Sequence, residues 1–256
     1  MKLVILAGGY GTRMSEATHL IPKPMVKIGG KPILWHIMKI YSSYGINEFI
    51  ICGGYKQYVI KEYFANYFQH NSDLTFDLSD NSMKIHNNNS EDWKVTIIDT
   101  GLHTMTGNRI KKIQEFVADE TFCLTYGDGV GDIDITKTIE NHKHGGKVLS
   151  MTTYQPTGKL GVLEISEDGL VKSFKEKPED SGSWINAGFF VCEPELFEYL
   201  GDDNEMFEQG PMQRLINENQ INTYKHNNFW MPMDTLRDNQ ILNKMWDNNK
   251  AEWKVW

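Results

Sequence analysis

Lys2-Leu3-Val4-Ile5-Leu6-Ala7-Gly8-Gly9-Tyr10-Gly11-Thr12-Arg13-Met14 is the stretch that decides the fold. Residues 2–6 form a short apolar run ending in glycines, the length and flank of a buried parallel strand. Gly8, Gly9 and Gly11 then let backbone N–H groups approach phosphate oxygens with no Cβ in the way. A helix starting next would add its own N–H groups and positive dipole end. Arg13 offers a fork of donors to the same anion. A tight strand-to-helix turn with an exposed arginine is the other reading of these residues.

Two commoner phosphate motifs fail. The dinucleotide fingerprint wants Gly-x-Gly-x-x-Gly, and counting from Gly9 the third position holds Met14. The NTPase loop wants Gly-x-x-x-x-Gly-Lys-Ser/Thr; Gly30-Lys31 is followed by Pro32 and preceded by Met25 where the first glycine belongs.

Outward from this stretch, strand and helix signals alternate. Pro32 opens a helix on which Ile33, Leu34, Ile37, Met38 and Tyr41 keep helical spacing, and Gly45 stops it. Strands are predicted at 49–52, 93–99, 121–126 and 147–153, with helices at 56–68, 109–117 and 135–144. The polar segment 70–92 reads as short strands or hairpins with an exposed tip. Residues 161–166 and 170–175 flank Glu167-Asp168-Gly169, a hairpin signal. A strand at 184–192, helices at 194–200 and 206–217, a strand at 221–225 and a helix at 235–246 complete the chain. The architecture expected is a doubly wound, Rossmann-like α/β sheet, mostly parallel, with small antiparallel additions. No linker or repeat divides it, so residues 1–256 are read as one domain. Its halves meet near residue 130, with the last helices in the second.

The 256 residues suffice for a packed core, and 40% hydrophobic with 23% charged residues is ordinary globular composition. A net charge of −8 argues against a nucleic-acid partner, which needs a basic surface. The apolar runs are too short for a membrane span or a secretory signal. Cys52, Cys123 and Cys192 have no metal or redox spacing and read as buried thiols in a reducing cytosol, so a cytoplasmic location is expected.

Leu6-Ala7-Gly8-Gly9-x-Gly11-Thr12-Arg13 with Lys23-Pro24 resembles the signature of the sugar-1-phosphate nucleotidyltransferases. Met105-Thr106-Gly107-x-Arg109, Tyr126-Gly127-Asp128-Gly129, Glu176-Lys177-Pro178 and 233–238 extend the resemblance along nearly the whole chain. It is nearest to the cytidylyl-transferring branch, because Tyr126-Gly127-Asp128-Gly129 stands where the uridylyl and thymidylyl branches carry Leu-Gly-Asp-Asn-like residues. The resemblance implies CTP and glucose 1-phosphate as substrates, Mg²⁺ as cofactor, a homo-oligomer with a hexamer as one form, and a product used for surface polysaccharide. It also implies roles. Arg13 and Lys23 would clamp the triphosphate, with Asp128 as the third catalytic residue. The nucleotide would lie on Leu6, Ala7, Gly8, Gly9, Gly11, Thr12, Arg13, Lys23, Thr104, Arg109 and Asp128. Glu176, Lys177, Asn186 and Gly188 would hold the sugar phosphate, and Asp128 with Asp234 the metal. A phosphate oxygen that is already ionised needs relief from anionic repulsion and in-line alignment, which cations and a metal supply without a nucleophilic triad.

The residues leave blander readings open. Lys23 could be a solvated loop lysine, Asp128 a turn aspartate and Asp234 a helix N-cap beside Thr235. Glu176-Lys177 could be a charged strand end. His142 and His144, two apart on a helix, point different ways and read as surface residues. Lys111-Lys112 reads as a solvated helix face. Trp230, Trp246, Trp253 and Trp256 suit a core or a subunit interface. The segment 70–92 suits a lid or an oligomer contact. Transfer of another nucleotidyl group is one competing function; a non-catalytic nucleotide-sugar sensor or assembly subunit is another.

Overall fold

β1 (Leu3–Ala7) is buried along its whole length. Leu3, Ile5 and Ala7 belong to one apolar layer, Val4 and Leu6 to a second on the opposite face. A strand covered on both faces must be apolar at every position, which is why alternation is missing from its sequence. The computed structural model describes residues 1–14, 18–117, 119–156 and 183–256, with the backbone of 162–165 and 171–175.

Single 3-10 turns follow at Thr12–Met14 and Lys23–Met25. β2 (Lys27–Ile28) and β3 (Lys31–Pro32) make a ribbon turned through Gly29 and Gly30, both at positive φ. The ribbon runs into α1 (Ile33–Ser42). β4 (Glu48–Gly53) precedes α2 (Gln57–Ala65) and α3 (Tyr67–His70), the single helix expected at 56–68 being broken at Asn66. β5 (Ser72–Asp77) and β6 (Ser82–Asn88) form the hairpin expected in the polar segment. β7 (Lys94–Asp99) leads to α4 (Thr106–Lys111) and α5 (Gln114–Val117), where one helix over 109–117 is predicted. β8 (Phe122–Tyr126), β9 (Gly129–Gly131), α6 (Ile135–Gly145) and β10 (Leu149–Tyr154) follow.

β11 (Val162–Ile165) and β12 (Val171–Lys175) pair antiparallel, as the hairpin reading requires; its turn lies outside the described residues. The strand expected at 184–192 is two, β13 (Ile185–Asn186) and β14 (Phe190–Cys192). Between them Gly188 and Phe189 take φ values of +76° and +48°, which no continuous strand accommodates. Pro194–Tyr199 is a 3-10 helix. α7 (Gly210–Asn217), β15 (Ile221–His226), β16 (Trp230–Pro232) and α8 (Leu236–Asp247) end the chain's regular structure.

The main sheet has the order β13-β10-β14-β8-β1-β4-β7, with β15 on β10. β8, β1, β4 and β7 are parallel neighbours; β14 is antiparallel to β8 and β10. The chain therefore steps outward from β1 through β4 to β7 and returns to the other side of β1 as β8. That reversal opens a crevice at the carboxyl ends of β1 and β8, where open α/β sheets place ligands.

Trp253 is fully buried and settles the reading of that tryptophan as core. Trp230, Trp246 and Trp256 are partly buried against the same layer. His36, also fully buried, accepts at Nδ1 from Trp253 Nε1 (3.4 Å). Its Nε2 lies 2.8 Å from the Ile28 carbonyl, which only accepts, so Nε2 carries the proton. Burial lowers the His36 pKa to about 4, against the opposing pull of the Ile28 and Lys31 backbone bonds. The three cysteines are buried and unpaired; burial pushes the thiols of Cys52 and Cys123 up to about 12.

Two surface assignments are corrected. His142 is only 1% exposed, with its ring nitrogens 2.9 Å from Ser150 Oγ and 2.9 Å from Glu193 Oε1. It ties α6 to β10 and to the end of β14, while His144 stays exposed. Lys111 is half-buried rather than solvated, while Lys112 stays exposed as expected. Lys111 Nζ meets Gly201 O (3.2 Å) and Asp202 (2.5 Å), and Lys112 Nζ meets Thr100 O (2.9 Å).

Candidate active site

A cleft of about 510 Å³ opens at the carboxyl ends of β1 and β8. Leu6, Ala7, Gly8, Gly9, Gly11, Thr12, Arg13, Lys23, Thr104, Arg109 and Asp128 all line it. Register explains the convergence. Leu6 pairs with Tyr126 across β1 and β8, and Gly127 N donates to Leu6 O (3.0 Å), so Asp128 emerges beside the glycine-rich loop. Gly127 permits this approach: a Cβ there would lie 3.0 Å from Leu6 O.

Four charged side chains form a chain across one end of the cleft. Arg13 Nη1 donates to Asp234 Oδ2 (2.7 Å), Lys23 Nζ to Asp234 Oδ1 (2.6 Å), and Lys23 Nζ to Asp128 Oδ2 (2.7 Å). Lys23 is only 8% exposed, which sets aside a solvated loop lysine. Asp234 is not the cap of α8. That cap is Thr235, reciprocated by Asp238 in a capping box, which leaves the Asp234 carboxylate for Lys23 and Arg13. α8 is fixed against the Lys23 segment by Asn243, which accepts from Gly29 N (3.0 Å), and by Asn239, which donates to Lys27 O (2.9 Å).

Arg109 lines the cleft but is spent on the backbone. Its guanidinium donates to Gly53 O (3.2 Å), Thr100 Oγ1 (2.6 Å), Gly101 O (2.8 Å) and Gly8 O (3.1 Å). It braces the glycine-rich loop and the 100–101 turn from below. Thr104 sits in the loop opposite, with Leu102, His103 and Met105. Across the mouth, Tyr10 Oη lies 3.0 Å from His103 Nδ1.

Asn186 and Gly188 lie beyond the cleft floor, joined to it through Tyr126. Asn186 Nδ2 donates to Tyr126 Oη (3.1 Å) and Gly188 N to Asn186 Oδ1 (2.8 Å). Tyr126 Oη donates in turn to Glu208 Oε1 (2.7 Å). Burial first, then the Glu208 carboxylate, push the Tyr126 phenol above its ordinary range. Tyr126 carries no sequence signal beyond its motif, and no local pattern marks Glu208. Glu176 and Lys177 lie outside the described residues.

Chemically, this end of the cleft balances two cations against two carboxylates. An incoming polyphosphate can take Arg13 and Lys23, leaving Asp128 and Asp234 for a hard cation. Among the described residues no cluster of three or more His, Cys, Asp or Glu gathers as a closed metal cage. Mg²⁺ keeps waters and is commonly held by one or two carboxylates plus substrate phosphates, so two aspartates joined by one lysine fit it.

A nucleotidyl transferase family model matches residues 2–247. The chain is 53% identical over 257 residues to a glucose-1-phosphate cytidylyltransferase of Salmonella typhi, covering all of both chains. It is 46% identical over 258 residues to a probable glucose-1-phosphate cytidylyltransferase of Bacillus subtilis (strain 168), again over all of both. Among solved structures, HddC from Yersinia pseudotuberculosis superposes with a TM-score of 0.68 at 24% identity, over 96% of this chain and 99% of that one. UDP-glucose pyrophosphorylase complexed with UDP-glucose superposes with a TM-score of 0.68 at 17% identity, over 97% and 98%. These structural likenesses establish the fold. Among the described residues no helix is long and apolar enough to cross a membrane.

Proposed function

The chain belongs to the nucleotidyl transferase family, and from that premise we propose that it transfers the cytidylyl group of CTP to α-D-glucose 1-phosphate, releasing pyrophosphate and forming CDP-glucose. The full-length 53% identity to a glucose-1-phosphate cytidylyltransferase supports the choice of substrates. The observation that carries the chemistry is the chain Arg13–Asp234–Lys23–Asp128 beside the glycine-rich loop.

In this reading, a phosphate oxygen of glucose 1-phosphate attacks the α-phosphorus and the bond to pyrophosphate breaks. Lys23 leaves its two carboxylates for the α-phosphate and offsets the charge that builds there. Arg13, mostly exposed, swings from Asp234 to the leaving phosphates. Gly8, Gly9, Gly11 and Thr12 present backbone to the triphosphate, and Arg109 keeps that backbone rigid. Thr104 flanks the base. Asp128 and Asp234 would hold Mg²⁺, which would supply Lewis-acid neutralisation of the triphosphate. Asn186 recognises sugar hydroxyls, Gly188 leaves room for them, and Glu176 with Lys177 completes the sugar-phosphate side.

The hairpin of β5 and β6 supports a homo-oligomer. Phe76, Leu78, Met83 and Ile85 are 43–85% exposed on it, in a two-stranded ribbon that is marginal alone. Light scattering giving a monomer at working concentration would remove this part. A cytosolic location and supply of nucleotide sugar for surface polysaccharide belong to the same reading.

The deciding experiment is pyrophosphate release with each nucleoside triphosphate and glucose 1-phosphate, with and without Mg²⁺. CTP should give the highest kcat/KM, and Mg²⁺ should be required. Higher specificity for another base would replace cytidylyl transfer, and absence of release with every triphosphate would refute catalysis.

A further inference from the structure

A directed hydrogen-bond chain runs beneath the cleft from the start of α4 to Asn186. Phe207 N donates to Thr106 Oγ1 (2.8 Å), and Thr106 Oγ1 donates to Glu208 Oε2 (2.7 Å). Tyr126 Oη donates to the other carboxylate oxygen, Glu208 Oε1 (2.7 Å), and receives Asn186 Nδ2 (3.1 Å). Every direction is fixed. Phe207 N only donates, so the Thr106 hydroxyl is turned toward Glu208. An ionised Glu208 only accepts, so the single Tyr126 proton is committed to it. The phenol oxygen is then left as an acceptor and selects the amide NH₂ of Asn186 over its carbonyl. Gly188 N, 2.8 Å from Asn186 Oδ1, enforces the same orientation from the other end. The kink that places this N–H is itself moulded on Tyr126, since a Cβ at Gly188 would lie 3.0 Å from the tyrosine ring.

We infer that Tyr126 and Glu208 are positioning residues for sugar selection: acting through Asn186, they fix which of its amide atoms is offered to the sugar. The inference rests on the reading that Asn186 meets the sugar. With one N–H committed to Tyr126, Asn186 has its second N–H, without a partner among the described residues, to give to a sugar oxygen. A flipped amide would offer an acceptor instead and lose both internal bonds. Sites built to hydrogen-bond a hydroxyl discriminate strongly against analogues that lack or misplace it. Thr106, the first residue of α4, also lines the nucleotide end of the cleft, so the chain joins the two substrate sites.

The test uses Tyr126→Phe and Glu208→Ala, which removes the acceptor of the Tyr126 proton, in the full-length protein. Phe keeps the ring that packs on Phe190 and Gly188 and removes only the oxygen. Each variant should raise KM for glucose 1-phosphate about fivefold, from loss of one orienting bond. Each should narrow the preference for glucose 1-phosphate over its 2-deoxy and galacto analogues, with KM for CTP within twofold of wild type. In an Asn186→Ala background, Tyr126→Phe should change nothing further. A merely structural role would lower thermal stability without separating the two KM values. Unchanged sugar KM and preference in an active Tyr126→Phe enzyme overturns the inference, as does a full effect of Tyr126→Phe in the Asn186→Ala background. Loss of the parent reading is seen separately, as a wild type that releases no pyrophosphate from glucose 1-phosphate. The chain then still stands or falls on NMR. The Asn186 side-chain amide proton given to Tyr126 should exchange slowly in the wild type and fast in Tyr126→Phe; equal exchange rates overturn it.

Discussion

Gly8→Ala should damage the fold, whereas Gly9→Ala, one residue on, should spare the fold and damage only ligand binding. A Cβ at Gly8 would overlap Nη1 and Cζ of Arg109 and come within 2.9 Å of its Nε. An exposed arginine would swing away. This one is 4% exposed and tied to four oxygens on Gly8, Gly53, Thr100 and Gly101. Making room means withdrawing a buried cation from its acceptors, a change of about 3–5 kcal/mol in buried charged networks. At roughly 2–4 °C per kcal/mol for a chain near this size, Tm should fall by about 10 °C. At Gly9, a Cβ meets nothing within 4 Å, so Tm should stay within about 2 °C of wild type. The same open space is where phosphate would come close, so KM for CTP should rise at least about tenfold in Gly9→Ala. Scanning calorimetry and initial rates of pyrophosphate release measure both. A Gly8→Ala protein with wild-type Tm would refute the bracing role of Arg109. A Gly9→Ala protein with wild-type KM would refute the placement of the phosphates.

Lys23→Ala should lower kcat by about 10²–10³, the usual loss of one electrostatic partner of a transition state, while circular dichroism shows the fold retained. Near-normal turnover in a folded variant would take Lys23 out of the chemistry. Asp128→Asn should raise the Mg²⁺ concentration for half-maximal rate by about tenfold or more; an unchanged Mg²⁺ titration would exclude Asp128 as a ligand. His36, lowered to about 4 in the fold, remains neutral there while the unfolded chain takes up a proton below about 6.5. Its contribution is therefore complete above pH 6.5 and is lost as pH falls toward 4, on the order of 3 kcal/mol. His36→Gln keeps a donor for Ile28 O and an acceptor for Trp253, so its urea midpoint should fall less between pH 7 and 4.5 than that of the wild type. Equal falls would contradict the burial argument.

Much of this was legible before any coordinates. The apolar run at 2–6, ending in glycines, reads as a buried parallel strand, and the structure covers that strand on both faces. Signals failed where the deciding partner was distant in sequence. Residues 184–192 have strand composition throughout; the kink at Gly188 comes from Tyr126 beneath it. Asp234 looked like a cap because Thr235 and Asp238 supply the capping chemistry next to it, and only tertiary packing brings Lys23 to its carboxylate. His142 is a different failure. Ile135, Thr138 and His142 fall on one helical stripe and all are buried, so the periodicity of α6, not the spacing of its histidines, marks His142 as core. Glu208 and the guanidinium contacts of Arg109 carry no local signature at all.

The ion pair between Lys23 and Asp234 spans 211 positions of sequence. During synthesis the lysine therefore leaves the ribosome long before its second carboxylate exists. A nascent chain with the glycine-rich loop already made has neither Asp234 nor the helix that presents it beside Lys23. Pairings of such long range are late events in folding, limited by closure of the intervening chain. Assembly of the charged chain that the proposed transfer needs is thus a timed property, withheld until most of the polypeptide has been translated, and fragments ending before Asp234 should release no pyrophosphate.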